Sequence, residues 1–226
     1  MSYNVAIDGP AGAGKSTIAR QVAKREGFIY VDTGAMYRAM AYYLLQQGID
    51  GSDSEAISRS CADADISLRY ENGEQVVLLN GENVNGVIRT EEVSRMASVS
   101  SANPDVRVRL VQLQQKLAAA NDVVMDGRDI GTCVLPGADV KIFLTASASV
   151  RAKRRFLELQ AKGENADLAT IEADIIERDH RDMTREHSPL KQAEDAVLLD
   201  SSDMTIEQVV DAIIRMIERS KKERKA

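Results

Sequence analysis

The sequence has 226 residues, of which 44% are hydrophobic and 28% charged, and its formal net charge is −6. This composition is ordinary for a globular chain and leaves room for one α/β domain with small inserted lobes. The acidic balance disfavours binding of a long nucleic acid, which normally needs a net basic surface. No apolar run approaches the length of a membrane span, so no membrane partner is expected.

The chain holds two cysteines, Cys61 and Cys133, and two histidines, His180 and His187. Their number and spacing match neither a disulfide framework nor a zinc motif. The first residues enter a predicted strand directly, without a basic and apolar leader. Together these features predict a cytoplasmic protein, because free thiols fit a reducing compartment.

The first predicted elements are a short apolar strand, a glycine-rich loop and an amphipathic helix that ends at Gly27. The loop matches in full the phosphate-binding pattern G-x-x-x-x-G-K-[ST]. Its residues, with the one that follows, are Gly9, Pro10, Ala11, Gly12, Ala13, Gly14, Lys15, Ser16 and Thr17. A plain glycine-rich turn is the alternative, but the strand before the loop and the helix after it favour phosphate binding.

Each residue type in this loop suits a triphosphate. Glycines let backbone N–H groups approach the phosphates without a Cβ in the way, and the helix N-terminus adds a partial positive charge. We expect Lys15 to contact the terminal phosphates and the Ser16 hydroxyl to be a ligand of Mg²⁺. The sequence therefore predicts a nucleoside triphosphate site and leaves open what the triphosphate is used for.

Strands and helices alternate along the rest of the chain. Further strands are predicted at about 28–31, 122–125, 140–144 and 196–199, and helices begin near residues 33, 54, 91, 104, 148, 168 and 205. The helix near 54 is predicted to end at about 64, and the helix near 168 at about 186. This alternation predicts a three-layer P-loop α/β fold with a mostly parallel five-stranded sheet, whose ligands bind at the carboxyl ends of the strands.

One helix and one loop segment carry more specific predictions. The helix near 104 is predicted to place one set of apolar residues on a shared face: Val106, Leu110, Leu113 and Leu117. Near residue 72 the pattern changes, and alternating apolar residues surround the turn dipeptides Asn72-Gly73 and Asn80-Gly81. Residues of about 65–88 therefore predict a small antiparallel sheet, either a substrate-side lobe or hairpins without a role of their own.

Two predicted helices carry rows of arginines at helical spacing. The first row is Arg151, Arg154 and Arg155, and the second is Arg178, Arg181 and Arg185. Such guanidinium groups suit transfer between two phosphates, because they offset the repulsion between an anionic donor and an anionic acceptor. The alternative is a pair of solvated faces neutralised by nearby acids. The segment 160–169 between the rows is poor in apolar residues and predicts a mobile lid.

No residue stands out as a general base, and both histidines are predicted to lie on the surface. A phosphate acceptor is ionised at neutral pH and needs no base, whereas a sugar or shikimate hydroxyl would use a carboxylate. The missing base therefore favours a phosphate as the acceptor.

Four motifs together carry a resemblance to a known family. They are the glycine loop, Asp32-Thr33-Gly34-Ala35-Met36-Tyr37-Arg38, Asp126-Gly127-Arg128-Asp129-Ile130-Gly131 and Glu177-Arg178-Asp179-His180-Arg181-Asp182. With them the sequence resembles the bacterial cytidylate kinases over essentially its whole length. The resemblance implies a single P-loop kinase domain over 1–226, a monophosphate-binding lobe at about 33–105 and a helical lid at about 151–169. It also implies transfer of the γ-phosphoryl group of ATP to CMP or dCMP, with Mg²⁺.

The resemblance also implies roles for individual residues. It implies that the CMP phosphate is bound by Thr33, Arg38 and Arg128 and that Tyr37 lines this site. It implies that the cytosine edge is contacted by Ser98, Arg107 and Asp129. By the same resemblance, the ribose is contacted by Arg178 and Asp182, and the phosphates are also bound by Arg185. The implied lid contains Arg151, Arg154 and Arg155. Arg181 is a further implied substrate-binding residue. The implied catalytic set is Lys15, Arg128, Arg154 and Arg185. A carboxylate that accepts from the cytosine amino group is sound chemistry, because that amine is a donor. His180 has no role that the sequence predicts.

Two kinds of alternative function stay open at this point. The nearest is another P-loop kinase of a small molecule, acting on UMP, AMP or shikimate. The other is a nucleotide-dependent switch, against which the missing Asn-Lys-x-Asp motif of GTPases counts. The expected partners are ATP and CMP or dCMP, with no nucleic acid polymer, and a monomer is expected.

Overall fold

The structure is a computed structural model that describes residues 2–224. Residues 1, 225 and 226, which the predicted domain 1–226 includes, lie outside the described residues. The strands are β1 (Asn4–Asp8), β2 (Ile29–Asp32), β3 (Ile66–Glu71), β4 (Glu74–Leu79), β5 (Glu82–Asn83), β6 (Val123–Gly127), β7 (Val140–Thr145) and β8 (Val197–Asp200). The helices are α1 (Lys15–Glu26), α2 (Thr33–Gln46), α3 (Ser54–Cys61), α4 (Glu91–Ser100), α5 (Pro104–Ala120), α6 (Ala148–Ala161), α7 (Leu168–Thr184) and α8 (Ile206–Glu223), and a π-helical turn covers Ile130–Val134.

The five-stranded sheet is parallel, with the strand order β2-β6-β1-β7-β8. The register aligns Val5 with Val140 and Ile142 with Val197. The central strand β1 is apolar at consecutive positions and buried there, as expected for a parallel strand that is covered on both faces. The predicted α/β fold is confirmed.

The described chain divides into two compact units. The first is formed mainly by Ile29–Val123, and the second joins Tyr3–Phe28 to the chain from Val124 onward. The predicted insert at 33–105 falls within the first unit. The predicted lid at 151–169 falls on α6, the start of α7 and the residues between them, in the second unit. Both assignments stay predictions.

The first unit contains the predicted antiparallel sheet, with strand order β3-β4-β5. Its two turns have positive φ at both central residues: 53° and 80° at Asn72-Gly73, and 50° and 86° at Asn80-Gly81. This backbone geometry is the one that two-residue hairpins favour, because its twist matches that of the flanking strands. The Asn-Gly pairs therefore identified the hairpins correctly.

Helix starts agree with the sequence better than helix ends do. Side-chain caps are formed by Asp32, Asp53, Thr90, Asn103, Ser147, Asp167 and Thr205. By contrast, α3 ends at Cys61 instead of the predicted 64, and α7 ends at Thr184 instead of 186. In α7 the stop is local, because the backbone of Arg185 is extended and cannot continue the helix.

The predicted apolar face of α5 is partly wrong. Leu113 and Leu117 are only half-buried, whereas Gln114 and Ala118 are buried. The buried positions follow Val106 and Leu110 at a constant spacing of four residues. The buried face therefore contains residues 114 and 118, each one position after the predicted residue. Because Gln114 is polar, the pattern of apolar residues does not show that this position is buried.

In the second unit, α8 packs on α1 and β7 through a strongly apolar face. Its buried residues are Val209, Val210, Ile213 and Ile217. Within residues 2–224, no helix combines the length and the apolar character that crossing a membrane requires.

The end of β1 is tightly enclosed at Gly9. Its φ is +150°, and a Cβ added there would lie 1.9 Å from the backbone oxygen of Leu144 in β7. We expect Gly9→Ala to lower the free energy of unfolding by more than about 2 kcal/mol, because the backbone must shift. Gly27→Ala is the control: φ is +71° there but no atom lies within 4 Å of the added Cβ, so about 1 kcal/mol of backbone strain is expected. Urea unfolding of both variants measures the difference, and equal losses would contradict the clash.

Candidate functional site

The phosphate loop leaves β1 through three glycines of positive φ. They are Gly9 at 150°, Gly12 at 75° and Gly14 at 85°. Gly14 is the N-cap of α1, which has no side-chain cap and no acidic residue in its first turn. The N-terminus of α1 therefore presents N–H groups and positive dipole charge without a protein anion from its own first turn, as a phosphate site requires.

Lys15 is buried, and its Nζ donates to the backbone oxygen of Pro10 at 2.7 Å. Burial, and next the positive charge of Arg128, lower the pKa of Lys15 from 10.5 to about 7. The carboxylates that oppose this shift are Asp126, Asp8 and Asp182. A phosphate that approached Lys15 would favour its charged form in the same way.

Ser16 and Asp126 form the part of the site that suits a hard cation. The Ser16 hydroxyl donates to Asp126 Oδ2 at 3.0 Å, and Asp126 is buried at the end of β6. Thr17, the last residue of the predicted loop set, is exposed. In the described chain no group of three or more histidine, cysteine or acidic side chains could hold a metal ion by itself.

Asp8 connects the end of β1 to the turn that follows β6. Its carboxylate accepts from the backbone N–H groups of Ile130 and Gly131 at 2.8 and 2.7 Å. Burial raises the pKa of Asp8 from 3.8 to about 6, although both hydrogen bonds act in the opposite direction. Asp8 was not among the predicted site residues, yet it fixes the backbone directly after Arg128 and Asp129.

Arg151 is buried against the phosphate loop. Its guanidinium group donates to the backbone oxygens of Ala146 and Ala11, at 2.8 and 2.9 Å, and to Asp179 at 2.6 Å. The predicted lid arginine therefore braces the loop and α7 in this structure.

Two other arginines are held by carboxylates in the second unit. Arg128 Nε donates to Asp182 Oδ2 at 2.9 Å, and Arg185 lies 3.8 Å from Asp129. Although burial acts in the opposite direction, the charge and hydrogen bond of Arg128 hold the pKa of Asp182 below its usual value. A guanidinium has five N–H donors, so one carboxylate can orient it and leave donors for a phosphate.

The remaining arginines of the two rows differ in setting. Arg154 donates to the backbone oxygen of Ser201 at 2.7 Å, and Arg178 is half-buried. Arg155 and Arg181 are exposed and pair with glutamates on their own helices. The structure thus pairs Arg128 with Asp182 through a hydrogen bond and Arg185 with Asp129 at 3.8 Å, and it places Arg155 and Arg181 at the surface. His180 and His187 are exposed as predicted.

In the first unit, Asp32 forms the centre of a charged cluster. Its carboxylate caps α2 by accepting from Ala35 N at 2.8 Å, and it pairs with Arg38 at 3.2 Å and Arg89 at 3.3 Å. Thr33, the next residue, is buried at the start of α2. The motif identified Asp32, Thr33 and Arg38, whereas Arg89 follows the antiparallel sheet and carried no motif signal.

Tyr37 and Arg107 also meet in the first unit. The guanidinium carbon of Arg107 lies 5.9 Å from the Tyr37 ring centroid, in cation–π geometry. Arg107 is buried on α5, and Ser98 is half-buried on α4. Tyr37 was predicted to line the phosphate site and Arg107 to contact the cytosine edge; the structure places the two side chains next to each other, and both roles stay predictions.

A parallel sheet whose first strand runs into a phosphate loop, a buried lysine and a helix N-terminus defines the class of P-loop proteins. Within this class, the sequence profile described as "Cytidylate kinase" matches residues 5–219. The chain belongs to the cytidylate kinase family.

Individual relatives agree with the family match. A cytidylate kinase of Lactiplantibacillus plantarum is 50% identical over 217 residues, covering 96% of this chain and 95% of the relative. One of Desulfitobacterium hafniense is 51% identical over 215 residues, covering 95% and 92%. Among solved structures, a gluconokinase of Sinorhizobium meliloti matches with a TM-score of 0.51 over 96% of this chain and 92% of that one; at 14% identity this likeness supports the fold alone.

The buried Asp8 predicts a pH-dependent stability. Because its folded pKa of about 6 exceeds its ordinary 3.8, its contribution is fully present below pH 3.8 and is lost as the pH rises through 6. When the pH falls from 7 to 4, the free energy of unfolding of the wild type should therefore rise by up to about 3 kcal/mol relative to that of Asp8→Asn. Urea unfolding of both proteins across this range measures the gain. A pH-independent difference would show that Asp8 titrates normally.

Proposed function

We propose that the protein transfers the γ-phosphoryl group of ATP to CMP or dCMP, giving ADP and CDP or dCDP. The observation that carries this proposal is the family membership over residues 5–219, together with an intact phosphate loop around a buried Lys15. The alternatives, kinases of UMP, AMP or shikimate and a nucleotide-dependent switch, find no comparable support.

ATP is assigned to the phosphate loop of the second unit. The loop residues from Gly9 to Thr17 surround the phosphates with their backbone N–H groups, except Pro10, which has none, and Lys15 contacts the terminal phosphates. Arg151 supports this assignment because it fixes the Ala11 carbonyl, and so helps to hold the loop in shape before the ligand arrives.

Mg²⁺ is assigned to the Ser16 hydroxyl, with Asp126 behind it. Both residues offer oxygen atoms, which this ion prefers, and Mg²⁺ usually binds few protein groups in addition to phosphates and waters. When bound, the ion neutralises negative charge on the β- and γ-phosphate oxygens.

The residues that bind the acceptor are assigned one by one, by family motif. In the first unit Thr33 and Arg38 bind the CMP phosphate, Tyr37 lines its site, and Ser98 and Arg107 recognise cytosine. In the second unit the assigned residues are Arg128, Asp129, Arg178, Arg181, Asp182 and Arg185, with Arg154 as a catalytic lid arginine. The exposed position of Arg181 gives this residue the weakest support.

Catalysis by this set consists of orientation and charge stabilisation. The acceptor phosphate is already ionised, so no side chain has to remove a proton. Lys15, Arg128 and Arg185 offset the charge that spreads over the transferring group. The Asp182 carboxylate orients the Arg128 guanidinium before substrate binds, and the Ser188 carbonyl, which accepts from Arg185 Nε at 2.7 Å, orients that of Arg185. A cytoplasmic location and a monomeric state remain predictions.

The choice of acceptor is the first test. We expect ADP release with CMP and dCMP at least about a hundredfold faster than with UMP, AMP, GMP or shikimate, since an unpaired buried polar group penalises a wrong base. Lys15→Ala serves as the blank and should lose most turnover while keeping its unfolding midpoint. Turnover that survives in Lys15→Ala, or a preferred acceptor other than a cytidine monophosphate, would overturn the assignment.

Arg128 is the second test, because it separates the two substrates. Arg128→Ala should raise KM for CMP about tenfold to a hundredfold, the range for a charged hydrogen bond, and leave the Kd of ATP within about twofold. Steady-state kinetics and calorimetric titration with ATP measure the two constants. Arg219→Ala is the matched control, because Arg219 is 83% exposed on α8. Equal effects on CMP and ATP would contradict the role given to Arg128.

A further inference from the structure

The side chain of Gln75 replaces a neighbouring strand at the end of β2. Asp32 N–H donates to Gln75 Oε1 at 2.9 Å, and Gln75 Nε2 donates to the Asp32 carbonyl at 3.3 Å. One primary amide thus satisfies both backbone groups of one residue, as a paired strand would. β2 is an edge strand of the described sheet, so no further strand pairs with its outer side. The Gln75 amide provides the hydrogen bonds that such a strand would make with Asp32.

Gln75 is itself held in place on the antiparallel sheet. Asn85, just after β5, donates through Nδ2 to the Gln75 carbonyl at 2.8 Å and accepts from Val77 N–H at 3.0 Å. Asn85 therefore fixes the strand backbone directly after Gln75, on both sides of Val76, and the amide projects from a well-held strand.

A second contact from the same lobe reaches the same residue. Arg89, beyond the antiparallel sheet, pairs with the Asp32 carboxylate, so the lobe contacts both the backbone and the side chain of Asp32. Asp32 in turn caps α2, pairs with Arg38 and directly precedes Thr33. The geometry of Thr33 and Arg38 therefore depends on how Asp32 is held.

We propose that Gln75 is a positioning residue for the acceptor phosphate, acting through Asp32 on Thr33 and Arg38. This inference rests on the proposed function, in which Thr33 and Arg38 bind the CMP phosphate. It gives the antiparallel sheet a role in substrate binding, because the lobe sets the phosphate-binding end of α2 while Gln75 touches no substrate. The chemistry is a pair of neutral hydrogen bonds, and no group changes its charge.

Two substitutions test the amide. Gln75→Met keeps the length and removes both hydrogen bonds. Gln75→Glu keeps an acceptor for the Asp32 N–H but loses the donor and faces the Asp32 carbonyl with a negative charge. We expect either variant to raise KM for CMP about tenfold and to leave KM for ATP within about twofold.

Tyr70→Phe is the matched control within the same lobe. The Tyr70 hydroxyl donates to the Tyr30 carbonyl of β2 at 3.1 Å, so its loss weakens the same contact region without touching Asp32. This control should leave KM for CMP unchanged. A similar rise in Tyr70→Phe and Gln75→Met would mean a general loosening of the lobe and would overturn the positioning role.

A double-mutant cycle with Arg38→Ala separates the inference from the proposed function. If Gln75 acts through Asp32 on Arg38, Gln75→Met should raise KM for CMP less in the Arg38→Ala background than in the wild type. Additive effects would overturn the inference. If Arg38→Ala itself leaves KM for CMP unchanged, the assigned phosphate site is wrong, whatever Gln75 does. Circular dichroism and the unfolding midpoint verify that each variant is folded, and an unchanged KM for ATP confirms this within the kinetic data.

Discussion

The buried ammonium group of Lys15 is the charge around which the polar groups of the second unit are arranged. A cation removed from water is unfavourable unless anions face it, and carboxylates of β1, β6 and α7 do so. Each of those carboxylates also binds another group: Asp8 the turn after β6, Asp126 the Ser16 hydroxyl, and Asp182 Arg128. The carboxylates around one lysine therefore connect the start of α1, the turn after β6 and α7 through hydrogen bonds of their own.

In the first unit the buried charge is an anion, the carboxylate of Asp32. Here a buried carboxylate is compensated by a helix N-terminus and two guanidinium groups. In the first unit the buried charge ends a strand, and in the second it begins the helix that follows the phosphate loop. Each has side chains of opposite sign near it. In the proposed function, such preorganisation spares each group a rearrangement when a phosphate binds, which is the usual origin of electrostatic catalysis.

The sequence predicted most of the fold because local chemistry determined it. Asn-Gly pairs fixed the hairpins, and capping residues fixed the helix starts. Helix ends were harder, since backbone geometry and not a side-chain signal stops α7 at Thr184. Motifs pointed to Lys15 and Arg128, whose site roles stay predictions. No motif pointed to Gln75, because the contact of its amide with the backbone of Asp32 is visible only in the structure.

The close approach at Gly9 has a consequence for how this protein can change. The atom that excludes a side chain at residue 9 is the carbonyl oxygen of Leu144, which every amino acid possesses. A smaller residue at 144 would remove side-chain atoms and leave that oxygen where it is. No substitution at residue 144 can therefore compensate for the replacement of Gly9 by a larger residue.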